Sequence, residues 1–215
     1  MVIQGKITGY DGYTLLIQAP FNATNILLNR RIVNCEVRLN DGRMLSSDQR
    51  KKIYATFADI SVYTGYAAEE VKEIMKYFFI AKTGAEYFSL SNVDMTTAKE
   101  FLQFLVEWCV ENDIPTKDNL LDRTPDIARY IYVCALNKRC CVTGKKAELH
   151  HEHAVGMGRN RKEIIHEGMS ILPLCREMHT ECHKIGQNTF NEKYHVFGII
   201  ADRAICEVYK LKKEI

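Results

Sequence analysis

The chain has 215 residues, 47% of them hydrophobic, and a formal net charge of +2 with its seven histidines counted neutral, which suits one large globular domain or two small ones. No apolar run approaches the roughly 18 residues a membrane span needs, and the start, Met1 to Lys6, has no apolar signal region. Eight cysteines without framework-like spacing exclude a disulfide scaffold and point to reduced thiols in a cytosolic setting, while so small a net charge leaves nucleic-acid binding to local patches.

The first 45 residues read as strands. Asp11-Gly12 separates the apolar runs Val2 to Ile7 and Tyr13 to Ile17, a hairpin signal. Residues 32–39 alternate, with Val33, Cys35, Val37 and Leu39 on one face, before a turn at Asp41-Gly42. From Ser46 the period becomes helical. Ser46 and Gln49 form a capping box, and Ile53, Phe57 and Ile60 make a buried stripe that ends near Gly65. A second helix is expected over 68–81. A third should open with Thr97 and Glu100, carry Phe101, Leu105, Trp108 and Cys109, and stop at Asn112-Asp113-Ile114-Pro115. Thr124-Pro125-Asp126 reads as the start of a fourth, capped by Thr124, with Ile127, Tyr130, Ile131 and Cys134 on its apolar face. The expected class is α+β, with antiparallel strands and helices in residues 1–122 and a second unit in 123–215. The fourth helix could pack on either side of that boundary.

The last third reads as strand (146–154), polar loop (155–168), short strand (169–174) and helix (176–185), with Gly186 as a left-handed cap. All seven histidines lie between His150 and His195. His179 and His183, four residues apart on a helix, present their imidazoles on one face and can close on a single ion. On a strand His150 and His151 point oppositely, so one can coordinate that ion while its neighbour faces substrate. Three ligands with an open position describe a catalytic metal site, beside which a neutral imidazole can take a proton from water. His166 and His195 read as incidental, His153 as packed or solvated, and Cys182 as core.

The run Glu148-Leu149-His150-His151-Glu152, joined to His179 and His183, resembles the HNH (ββα-metal) nucleases over about residues 138–190. The resemblance implies that His150, His179 and His183 are metal ligands and that His151 is the general base. It also implies one-metal hydrolysis of DNA to 5′-phosphate and 3′-hydroxyl ends. The family's central Asn is absent. Ser170 stands in its place, and Asn160 in the loop is the other candidate for its role. The family's paired Cys-x-x-Cys knuckles read here as Cys140-Cys141-Val142-Thr143 and Cys175-Arg176-Glu177-Met178, so the expectation is that a structural zinc is lost. Arg159, Arg161 and Lys162 in the loop, with Lys145 and Lys146 before the strand, read as contacts to the phosphate backbone.

Two further likenesses extend the picture. Ser46-Ser47-Asp48-Gln49-Arg50-Lys51-Lys52 resembles the NinB/Orf recombination proteins of lambdoid phages. That implies single-stranded DNA and the host single-strand-binding protein as partners, and a homodimer. Gly156-Met157-Gly158-Arg159-Asn160-Arg161-Lys162 is similar to HNH nucleases of phage recombination clusters, which implies a phage protein in the cytoplasm of a bacterial host. Three imidazoles suit zinc, nickel or cobalt, and colicin-like sites also work with Mg²⁺ or Mn²⁺. The rival expectation is a non-catalytic DNA-binding mediator in which zinc only stabilises a small fold.

Overall fold

The computed structural model describes residues 5–19, 37, 42–152 and 165–212. The N-terminal hairpin forms from two antiparallel strands, β1 (Lys6–Tyr10) and β2 (Leu15–Gln18). The Asp11 carboxylate accepts the backbone N–H groups of Tyr13 and Thr14, and Gly12 takes φ +97° in the turn. The alternating run 32–39 lies outside the described residues apart from Val37.

Three long helices follow: α1 (Ser47–Thr64), α2 (Ala68–Thr83) and α3 (Met95–Glu111). The capping box of α1 is complete. The Gln49 N–H donates to Ser46 Oγ at 3.1 Å, and the Ser46 N–H donates to Gln49 Oε1 at 3.0 Å. Ile53, Phe57 and Ile60 are buried, and Gly65 closes the helix in the left-handed conformation. The third helix opens earlier than its spacing suggested. Asp94, not Thr97, is its cap, and its carboxylate accepts the Thr97 N–H at 2.9 Å. The reason is tertiary. Met95 N–H donates to Arg43 and Leu45 N–H to Val93, which holds the chain extended up to Asp94.

A short α4 (Leu120–Arg123) precedes α5 (Ile127–Leu136). Asp126 rather than Thr124 caps α5, accepting the Arg129 N–H. The Thr124 hydroxyl is drawn instead into the interior, where it donates to Gln103 Oε1 at 2.8 Å. Helix α5 touches both α3 and the C-terminal strands. One apolar core therefore runs from Leu45 through Phe57, Phe79, Phe101 and Tyr130 to Leu172 and Val196. Its N-terminal end is an aromatic cluster, with the Phe101 ring centroid 5.3 Å from Phe79 and 5.1 Å from Phe88 in edge-on contacts.

The C-terminal part is a small antiparallel sheet in the order β3 (Glu148–His151), β4 (Ser170–Leu174), β5 (Ile199–Ile200), with α6 (Arg176–Ile185), α7 (Gln187–Tyr194) and α8 (Arg203–Tyr209) around it. Helix and antiparallel sheet are thus mixed, as an α+β class requires. Strand β3 is shorter than the expected 146–154. Gly186 has φ +86° but ψ +151°, so it is not a left-handed cap. It is a glycine-specific reversal that ends α6 and launches α7 at once. Among the described residues no helix is long and apolar enough to cross a membrane, and the seven described cysteines are buried.

Candidate metal centre

Pairing of β3 with β4 sets His150 opposite Leu172 and His151 opposite Ile171. Alternation along β3 turns Glu148 and His150 toward α6, while Leu149 packs against a second apolar cluster with Ile171, Ala201 and Ile205. Helix α6 is amphipathic over its ten residues, with Cys182 as its buried anchor and His179 and His183 on one side.

The imidazoles of His150, His179 and His183 converge. Their ring centroids lie 4.7 Å (His150–His179), 5.1 Å (His150–His183) and 4.9 Å (His179–His183) apart. One ligand nitrogen from each falls within 4.8 Å of the others, close enough to share an ion with modest adjustment. The three are graded in depth: His150 is buried, His179 half-buried and His183 exposed. The site therefore opens to solvent on the His183 side.

His150 gives the clearest sign of what the cluster could hold. Its Nε2 lies 2.8 Å from Gln187 Oε1, whereas its Nδ1 is buried with no hydrogen-bond partner. Leaving a buried acceptor unmade costs about 1–3 kcal/mol. A cation shared with His179 and His183 would satisfy that nitrogen. The protonation states agree. Burial holds the His150 and His179 imidazoles below their ordinary pKa, and neighbouring imidazoles push the same way, so both stay neutral and keep a lone pair for a metal at pH 7. The Glu148 carboxylate stands 3.7 Å from His179 Nδ1, well placed to hold that ring.

His151 is half-buried beside this cluster, and its pKa is lowered by burial first and then by His166, His150 and His179. Its Nε2 lies 2.9 Å from His166 Nδ1. His166, read from sequence as incidental, is thus the direct partner of the expected base. Its own pKa is lowered by burial. Nothing in local spacing could have shown this, because the two rings are brought together across a 15-residue separation.

Ser170, expected to stand in for the family's Asn, lies at the start of β4, next to the residue paired with His151. Its hydroxyl donates to Glu152 Oε2 at 2.6 Å. Lys145 forms an ion pair with Glu177 of α6 at 2.9 Å, and Lys146 is exposed in a bridge with Arg139. Arg159, Asn160, Arg161 and Lys162 fall outside the described residues, as does His153. Thr143, standing where a knuckle's second cysteine would be, donates its hydroxyl to Cys175 Sγ at 3.4 Å. Burial alone would raise the Cys175 thiol, but that hydroxyl and the backbone N–H groups at the start of α6 bring it below the ordinary value. Cys182 is core, as expected, although its Sγ also lies 3.2 Å from Gln187 Oε1.

No curated protein and no solved structure shows significant similarity to the chain. A protein family does. Residues 19–212, nearly the whole chain, match the family described as "Putative HNHc nuclease", and the chain belongs to that family.

Proposed function

We propose that this nuclease is a metal-dependent DNA endonuclease that hydrolyses phosphodiester bonds in recombination or replication intermediates, with a ββα-metal site built from β3, β4 and α6. The observation that carries the reading is the convergence of His150, His179 and His183, the first of which has a buried, unpartnered Nδ1. A divalent cation bound there would supply positive charge for the phosphoryl group and the leaving oxygen.

The chain's own residues supply the rest. His150, His179 and His183 hold the cation, and His151 takes the proton from the attacking water. Because His151 Nε2 and His166 Nδ1 share one hydrogen bond, only one of them donates. If His151 donates, its Nδ1 keeps the free lone pair. If His166 donates, that capacity moves to His166 Nε2. His166 thereby selects the tautomer of the base. Lys145, Lys146, Arg159, Arg161 and Lys162 are assigned to the phosphate backbone, with the Lys145–Glu177 pair exchanged for a phosphate on binding. Residues 1–122 engage DNA and 123–215 carry the chemistry, joined through α5.

A purely structural zinc fits less well. Such sites are closed by four protein ligands, whereas three ligand groups converge here among the described residues and the third is exposed. Supercoiled plasmid incubated with Mg²⁺, Mn²⁺, Zn²⁺, Ni²⁺ or Co²⁺ should be nicked. His151→Ala should lower the rate by about 10²–10⁴-fold while metal content and fold persist. Loss of the ion and of the fold in that variant would make His151 a structural ligand. Absence of cleavage with every ion on duplex, single-stranded and branched DNA would leave a binding module.

A further inference from the structure

Beyond the three ligands lies a chain of hydrogen bonds that ends on an anion. Glu152, the residue after β3, receives donors on both carboxylate oxygens. Ser170 Oγ donates to Oε2 at 2.6 Å, while Gln187 Nε2, Asn191 Nδ2 and the backbone N–H of Gly198 donate to Oε1 at 3.0, 3.0 and 2.9 Å. Gln187 Nε2 also donates to Asn191 Oδ1 at 2.9 Å. The other end of the Gln187 amide, Oε1, faces His150 Nε2 at 2.8 Å.

We propose that Glu152 and Gln187 form a positioning relay that fixes the tautomer of His150 and presents its Nδ1 lone pair to the metal. The proposal rests on the metal-site reading and names the residues that prepare it. The logic is one of donors and acceptors. An ionised carboxylate only accepts, so Gln187 must turn its NH₂ toward Glu152. The reverse orientation would set the Gln187 carbonyl against the Glu152 oxygen and against Asn191 Oδ1, which also accepts. With NH₂ committed to Glu152, the carbonyl faces His150, and accepts from the Cys182 thiol as well. That carbonyl can only accept, so His150 Nε2 carries the hydrogen and Nδ1 is bare. The bare nitrogen is the one found buried and unpartnered. Polarity thus passes from Glu152 to Gln187 to His150, with the Cys182 thiol beside the last link, 3.2 Å from Gln187 Oε1 and 3.5 Å from His150 Nε2.

Two glycines make the relay possible. Gly186, at φ +86° and ψ +151°, ends α6 so abruptly that Gln187 becomes the first residue of α7, directly beside His150. Gly198 approaches so closely that a Cβ there would collide with the Glu152 carboxylate and with Ser170 Oγ. Its bare backbone is what lets its N–H reach Glu152. This also gives Ser170 a role in the relay, whose start its hydroxyl anchors.

Long-range ¹H–¹⁵N correlation spectra of the metal-free full chain, labelled at histidine, read the tautomer of each ring. His150 should appear as the Nε2–H form. Gln187→Met, equal in length but without acceptor or donor, should release that preference and weaken Co²⁺ binding by about 10–100-fold in calorimetry. Glu152→Gln keeps the packing but can meet the Gln187 amide in either orientation. It should give a mixture of His150 tautomers and a smaller loss of Co²⁺ affinity, which covers the case where Gln187→Met fails to fold. An Nδ1–H form of His150 in wild type, or wild-type Co²⁺ affinity in a folded Gln187→Met, would overturn the relay. Wild type that shows the Nε2–H form yet binds no Co²⁺ would instead sink the metal-site reading and leave the relay as a hydrogen-bonded strut.

Discussion

The two ends of the molecule bury polar groups in opposite ways. Around α1, α3 and α5 every such group named here is closed by protein. Arg123 is buried, with Nη1 2.7 Å from Asp59 and 3.2 Å from Thr56 Oγ1, and Nη2 3.2 Å from Asp118. Glu107 accepts from Gln103 and from Arg129, each at 3.0 Å. Around β3 and α6 the relay from Ser170 through Glu152 and Gln187 is just as complete, but it delivers one nitrogen, His150 Nδ1, with no partner. Buried polarity of the first kind specifies how helices pack. The second kind prepares a ligand site: among the described residues Asp59 Oδ2 and Tyr209 OH also lack a hydrogen bond, but Asp59 Oδ2 is met by the Arg123 guanidinium at 2.7 Å, whereas the bare nitrogen of His150 belongs to a cluster of three ligand side chains.

That contrast can be broken most forcefully at the closed end. Arg123→Ala strands Asp59 in the interior and should cost about 3–5 kcal/mol of stability, read as a lower urea midpoint. Since Arg123 lies on α4, away from the imidazoles, Co²⁺ affinity of the remaining folded protein should be unchanged. A parallel loss of metal binding would show that the two ends are not energetically separable.

The converse variant is His179→Ala. At a metal concentration of 100 Kd, binding should stabilise wild type by about 2.7 kcal/mol. In His179→Ala that increment should vanish, along with plasmid nicking, while the metal-free stability barely moves, because His179 is only half-buried. A large loss of metal-free stability would mean that the imidazole cluster carries packing as well as ligation.

Which parts of this were legible in the sequence follows from distance along the chain. The Ser46–Gln49 box, the stripe Ile53-Phe57-Ile60 and the His179–His183 pair are local patterns, and the structure places each as its spacing implies. Where the expected cap was not the one formed, a remote contact decided. Asp94 won over Thr97 because Arg43 holds the chain extended before it, and Asp126 over Thr124 because Gln103 captures the Thr124 hydroxyl. Gln187, Asn191 and Gly198 had no local signature at all. They reach Glu152 across 35, 39 and 46 residues, and an amide or a glycine in a polar stretch has many ordinary uses. His166 was discounted for the same reason: only the fold brings it to His151.

The smallest effect sharpens the comparison through titration. Both ends contain groups whose pKa is lowered, but for opposite reasons. The site imidazoles are lowered because burial disfavours their charged form. For Asp94, burial pushes the pKa up, but hydrogen bonds from the Thr97 side chain and from the Thr97 and Thr96 backbone outweigh it and hold the carboxyl below 3.8. The charged form is therefore the favoured one in the fold. Its stabilisation is fully present above the unfolded pKa near 3.8 and fades as pH falls through the lower folded value. Asp94→Ala should accordingly cost about 1 kcal/mol at pH 7, and the gap to wild type should narrow in urea titrations run below pH 3.8. Asp94→Asn keeps an acceptor for the Thr97 N–H without a titrating charge, so its difference from Asp94→Ala should stay constant across the same range. A wild-type advantage over Asp94→Ala that does not shrink with acid would mean that the cap works through its shape and not through its charge.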